Sequence, residues 1–91
     1  MIKTIEPGRV VYSVAGHDKD RYYIILGCLN KTHCLVADGR THTVDKPKRK
    51  NIKHLNTCDK VFSEISEKLA TKRLNDSRVS CLLSEFRKKA N

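Results

Sequence analysis

Residues 7–29, PGRVVYSVAGHDKDRYYIILGCL, place two runs of β-branched and aromatic side chains on either side of a short charged loop. Residues 9–14 and 21–29 suit a pleated, half-buried surface better than a helix. Between them, Gly16 can take the positive φ that other residues resist. Asp18 and Asp20 can accept hydrogen bonds from nearby amides, and Lys19 puts a cation at the tip. The simplest structure is a hairpin-like connection with its polar groups outward.

The chain beyond repeats this short-strand grammar. Residues 30–33 make a polar turn and 34–37 a short apolar strand. Asp38-Gly39 is the strongest hairpin signal, because a type I′ turn needs positive φ at both central residues. Residues 41–44 are expected to return as a fourth strand and 45–51 to form a basic loop, where Pro47 cannot donate to a central ladder. Residues 52–55, Ile-Lys-His-Leu, supply a fifth strand. Five short strands with tight turns predict a mainly β fold, a small SH3-like five-stranded barrel over residues 1–57.

Past residue 56 the apolar period changes. Val61, Phe62, Ile65 and Leu69 line one face of a helix, with Thr57 or Asp59 as its cap. Val79, Leu82, Leu83 and Phe86 line a second, with cap oxygens from Asn75, Asp76 or Ser77 before it. Arg87, Lys88 and Lys89 sit at its end, where cations complement the helix dipole. Residues 58–91 thus read as a two-helix C-terminal extension, folded on itself, against the barrel or against a partner.

Charge narrows the partner. In 91 residues, 19 Lys and Arg oppose 10 Asp and Glu, a net of +9. The resulting isoelectric point near 9.7 points to polyanions, with nucleic acid ahead of anionic membrane. No apolar run approaches the roughly 20 residues of a membrane span, and none near the start resembles a signal peptide, so the protein is expected in the cytoplasm. Residues 1–57 carry a net +6 and residues 58–91 a net +3. Within the first part, Lys46, Lys48, Arg49, Lys50 and Lys53 fall in eight consecutive positions. Such a run neutralises phosphates and releases condensed counterions, and Arg49 can fork onto two phosphate oxygens. His17, Lys19 and Arg21 form a second cluster of donors. An exposed tyrosine, Tyr12 or Tyr22, could stack on a base, although a chain without Trp also needs its tyrosines in the core.

Catalysis is not expected. The chain has no glycine-rich phosphate cradle, no paired carboxylates and no nucleophile–histidine pattern. Its four cysteines, Cys28, Cys34, Cys58 and Cys81, contain no Cys-x-x-Cys pair. They read as reduced, mostly buried thiols, and a zinc site from His33, Cys34, His54 and Cys58 lacks the usual ligand spacing. DNA binding lacks a helix of clustered base-reading side chains.

Gly8, Val10, Val11, Ser13, Gly16, Asp18, Lys19, Ile24, Ile25, then Val36, Ala37, Asp38 and Gly39, followed by KPKRKNIKHL at 46–55, resemble a KOW motif. Over roughly residues 7–56 the chain is similar to the bacterial KOW-domain RNA-binding family around large-subunit ribosomal protein fourteen-e. It departs at Asp20, where the motif commonly carries Gly. The resemblance implies binding to structured or ribosomal RNA, association with the ribosome or translation, and ribosomal proteins as further partners. It implies no cofactor, metal, membrane or small-molecule substrate. The alternative is a protein-interaction module that docks on the ribosome or RNA polymerase through Val79, Leu82 and Phe86 of the C-terminal helices.

Overall fold

Successive strand residues point to opposite faces of a sheet, so a strand buried at every position must be covered on both sides. Val10 and Val11 of the first strand, and Tyr23, Ile24 and Ile25 of the second, are all inaccessible to solvent. The computed structural model, which describes residues 5–16 and 19–90 apart from the side chains of 89 and 90, shows how both faces are covered. Strands β1 (Arg9–Ser13), β2 (Tyr22–Cys28), β3 (His33–Ala37), β4 (Lys48–Asn51) and β5 (Leu55–Val61) precede helices α1 (Ser63–Ala70) and α2 (Asp76–Ala90). The strands form one antiparallel sheet in the order β4-β3-β2-β1-β5.

One face is covered by the helices. Ile65 of α1 and Val79, Leu82 and Leu83 of α2 pack on Val10 and Ile24, with Phe62, Leu69 and Phe86 at the margin. Among the described residues neither α1 nor α2 packs on the other face, where Ile5 and Ile52 lie at the margin. There Val11, Tyr23, Ile25, Cys34, Val36 and Leu55 bury one another, which requires the sheet to curl over itself. Each aliphatic side chain so buried contributes roughly 1.5–3 kcal/mol relative to exposure. Two register shifts, between Arg9 and Val11 against β5 and between Ile25 and Gly27 against β3, supply local bends. At the first, the Arg9 guanidinium enters the irregularity and donates to the carbonyls of Cys58 and Asp59 at 3.0 and 3.3 Å.

The mainly β fold with two terminal helices matches the sequence expectation, but the sheet remains open. Among the described residues no ladder joins β4 to β5. A 3-10 turn, Ile52–His54, connects them, with Asn51 Oδ1 accepting from Lys53 N. This turn occupies the expected fifth strand, and β5 follows it, running across the expected boundary at residues 57–58. The expected fourth strand at 41–44 is part of a loop. Asp38 Oδ1 accepts from the amides of Arg40 and His42, and Asp76 Oδ1 accepts from Val44 N at 2.8 Å. Carboxylates take these donors, so a neighbouring strand is not needed. The strand forms instead at 48–51, within the expected basic loop, immediately after Pro47.

The helices reach the sheet through two close backbone approaches. Gly8, at φ +93°, passes the Phe62 carbonyl, and Gly39, at φ +78°, passes the Asp76 carbonyl and the Ser80 amide. A Cβ at either position would collide with that backbone. Phe62 N donates to Gly8 O at 2.9 Å, and Asn75 Oδ1 caps α2 by accepting from Arg78 N at 2.8 Å. The helices are then clamped together: Arg78 forks onto Glu64 at 2.8 and 2.7 Å, and Lys68 joins at 3.2 Å. The Arg78 bond, reinforced by Lys68, holds the Glu64 carboxyl at about 2 against an ordinary 4.5.

Two outcomes follow. Gly39→Ala should lose about 1–3 kcal/mol from the positive φ alone, and more from the overlap with α2, in urea denaturation. A depressed carboxyl pKa contributes stability above the ordinary value and loses it as pH falls through the folded value. The melting-temperature gap between the native chain and Glu64→Gln should therefore be widest near pH 6 and close as pH falls from about 5 towards 2, followed by circular dichroism.

Candidate nucleic-acid interface

A strand that pairs on one side only exposes its other edge, and lysine is a common guard of such edges. Among the described residues β4 is such a strand, with sequence Lys-Arg-Lys-Asn. Its pairing places Val36 opposite Lys48, Leu35 opposite Arg49 and Cys34 opposite Lys50. Directly paired residues share a face, so Lys48 and Lys50 lie on the curled inner side with Val36 and Cys34. Arg49 lies on the other side and is exposed.

The pleat thus divides a run that reads as one cationic cluster in the sequence. Lys46 is exposed in the preceding loop, its amide donating to Thr43 Oγ1 at 3.1 Å, and Lys53 is exposed on the 3-10 turn. Lys48 is half-buried. Lys50 departs furthest from the expected phosphate-binding role. It is 6 % exposed, and its Nζ donates to the Ala15 carbonyl at 2.8 Å. That bond links edge strand β4 to the segment after β1, across the open side of the sheet.

The second expected cluster lies in the β1–β2 connection. His17 falls outside the described residues, whereas Lys19 and Arg21 are exposed on either side of Asp20. The turn is held by Asp20 N to Ser13 O and Ser13 N to Arg21 O, both at 2.9 Å. Asp20 adopts φ +72°, in the left-handed region that favours glycine, which accounts physically for Gly being common there in KOW motifs. Its carboxylate accepts from Tyr12 Oη at 2.5 Å. That bond, more than burial, raises the Tyr12 phenol above its ordinary 10.0.

Neither expected stacking tyrosine presents a bare ring. Tyr12 and Tyr22 lie 5.0 Å apart between centroids, and Tyr22 also meets Phe86 edge-on at 5.5 Å. Tyr23 is in the core. The cysteines divide in the same way: Cys34 is buried, and desolvation raises its thiol to about 11, while Cys28 and Cys81 are exposed. The apolar helix residues of the protein-docking alternative are also engaged, since Val79 and Leu82 are 0 % and 2 % exposed against the sheet. Sequence reasoning passed over Arg40, which follows the Asp38-Gly39 turn and reaches Ser80 Oγ on α2 through its Nε at 3.2 Å. Arg87, which in the sequence reads as a partner of the helix dipole, lies on the C-terminal half of α2.

These features define a class: a small cationic protein of KOW type, with an open five-stranded sheet, a helical pair on one face and a basic free edge. No family profile matches the chain. Large ribosomal subunit protein eL14 of Staphylothermus marinus is 30% identical over 84 residues, covering 92% of this chain and 86% of that protein. Large ribosomal subunit protein eL14 of Pyrobaculum arsenaticum is 33% identical over 60 residues, 66% of this chain and 58% of that protein's length. The chain belongs to the eL14 family of large ribosomal subunit proteins.

Replacing Lys50 with Met should cost about 1–3 kcal/mol, because the charge-assisted bond to the Ala15 carbonyl is lost and that oxygen keeps the longer bond from Ser13 Oγ at 3.2 Å. Lys48→Gln should stay within about 0.5 kcal/mol. Equilibrium urea unfolding of the two variants separates an architectural lysine from a surface one.

Proposed function

We propose that the protein binds structured RNA of the large ribosomal subunit, using the cations on and around β4. Membership of the eL14 family is the observation that carries this reading. The net charge of +9 and the exposed placement of Lys46, Arg49 and Lys53 support it. Lys48 flanks them, and Lys19 and Arg21 extend the set along the β1–β2 turn. Lys50 belongs to the scaffold that presents the edge and is removed from the contact set.

The chemistry suits a folded RNA. Its deep major groove excludes side chains, leaving phosphates and 2′-hydroxyls as the accessible features. Lysines neutralise phosphate as point charges, and Arg49 adds a two-pronged donor. Binding of this type carries little sequence information and weakens steeply with salt. Nothing in it calls for a cofactor or a chemical step, so the role is structural: a compact basic protein laid against RNA in the ribosome, with ribosomal proteins as neighbours, in the cytoplasm.

The test is a salt titration of binding to ribosomal RNA fragments. Each phosphate contact removed should flatten the slope of log affinity against log salt by roughly 0.7–0.9. The combined Lys46→Gln, Lys48→Gln and Arg49→Gln variant should therefore bind more weakly and with a slope shallower by about 2–3. An unchanged slope would remove β4 from the interface.

A further inference from the structure

Three arginines from separate segments line a single groove. Arg21 precedes β2, Arg40 lies in the loop after β3, and Arg87 is on the C-terminal half of α2. The groove holds about 400 Å³, with hydroxyl-bearing Thr41, Ser80 and Ser84 also in its wall. All three arginines are exposed, and among the described residues none forms an ion pair. Arg40 spends one N–H on Ser80 Oγ, which fixes its guanidinium between the loop and α2.

Two carboxylates share the wall, Asp20 and Asp38. Both are already committed to turn geometry: Asp20 accepts from the Tyr12 hydroxyl, and Asp38 from the amides of Arg40 and His42. Like charges brought to one groove repel, and an anion rich in acceptor oxygens relieves that repulsion. Planar guanidiniums match such oxygens in pairs, and hydroxyls add single donors. The groove is open, and the exposed Lys19 lies two residues before Arg21 in the same turn. An open groove lined by three guanidiniums from separate segments fits a polymer with a charge at every unit.

We propose that this groove is a second seat for the RNA phosphodiester backbone, held by Arg21, Arg40 and Arg87 with hydroxyl donors from Thr41, Ser80 and Ser84. The inference rests on the RNA-binding reading above. It adds a contact on the helix side of the sheet, so that the RNA grips the loop–α2 junction as well as the β4 edge.

The experiment uses the full chain, a fluorescein-labelled RNA hairpin and a labelled poly-glutamate peptide. Arg40→Gln combined with Arg87→Gln should weaken RNA binding and make the salt slope shallower by about 2, with all β4 cations intact. On the unaltered chain, adding RNA should shift the amide resonances of Arg40, Thr41, Ser80 and Ser84, a readout that does not depend on any variant folding. Failure of the unaltered chain to bind RNA would overturn both readings. RNA binding with full affinity and slope in the double variant, or no resonance shifts around the groove, would overturn this inference alone. So would loss of only poly-glutamate binding in the variant, which would assign the groove to an acidic peptide.

Discussion

Burial of β1 and β2 on both faces is the constraint from which the rest of the architecture follows. A five-stranded sheet from so short a chain cannot expose Val10 or Val11, Ile24 or Ile25 without forfeiting much of its core. One side is solved by curling the sheet, the other by laying two helices on it. The second solution needs backbone to come close to backbone, which is why glycine stands at positions 8 and 39. Those glycines are resemblance-bearing residues of the KOW pattern, and here their role is spatial: each opens room for the start of a helical segment.

Much of this was legible in the residues themselves. Enrichment in β-branched and aromatic residues marked β1 and β2, a short apolar run marked β3, the apolar period marked both helices, and Asn75 stood among the candidate caps. The misplacements share one cause. Asp38-Gly39 does turn the chain, but a carboxylate from 38 and another from 76, far apart in sequence, satisfy the amides that a fourth strand would have used. The strand then falls on Lys48–Asn51, whose side chains have little intrinsic preference for it. It is a strand because β3 offers an edge, and an edge is invisible to local propensity. Of the interface, the cationic residues could be counted from the sequence, but their sides could not. Pairing with Cys34 sends Lys50 inward, and only the three-dimensional approach of the 38–47 loop to α2 brings Arg40 beside Arg87.

Charge therefore does several different jobs in this small molecule. Arg9 fills a register shift by binding carbonyls, Arg78 clamps two helices through Glu64, and Lys50 ties one rim of the sheet to the other side. The exposed cations, among them Lys46, Arg49 and Lys53, are left to face solvent. A net charge from composition sums these roles together, whereas the fold separates scaffold cations from those that face solvent.

Leaving the sheet open has a physical corollary for the isolated protein. The rim of β4, unpaired among the described residues, is a backbone template that a second molecule could extend, yet any such molecule would bring its own lysines and arginine to the same line. Mutual repulsion between such rows opposes that pairing most strongly in dilute salt. A row of positive side chains along an open edge thus acts as a guard against self-association.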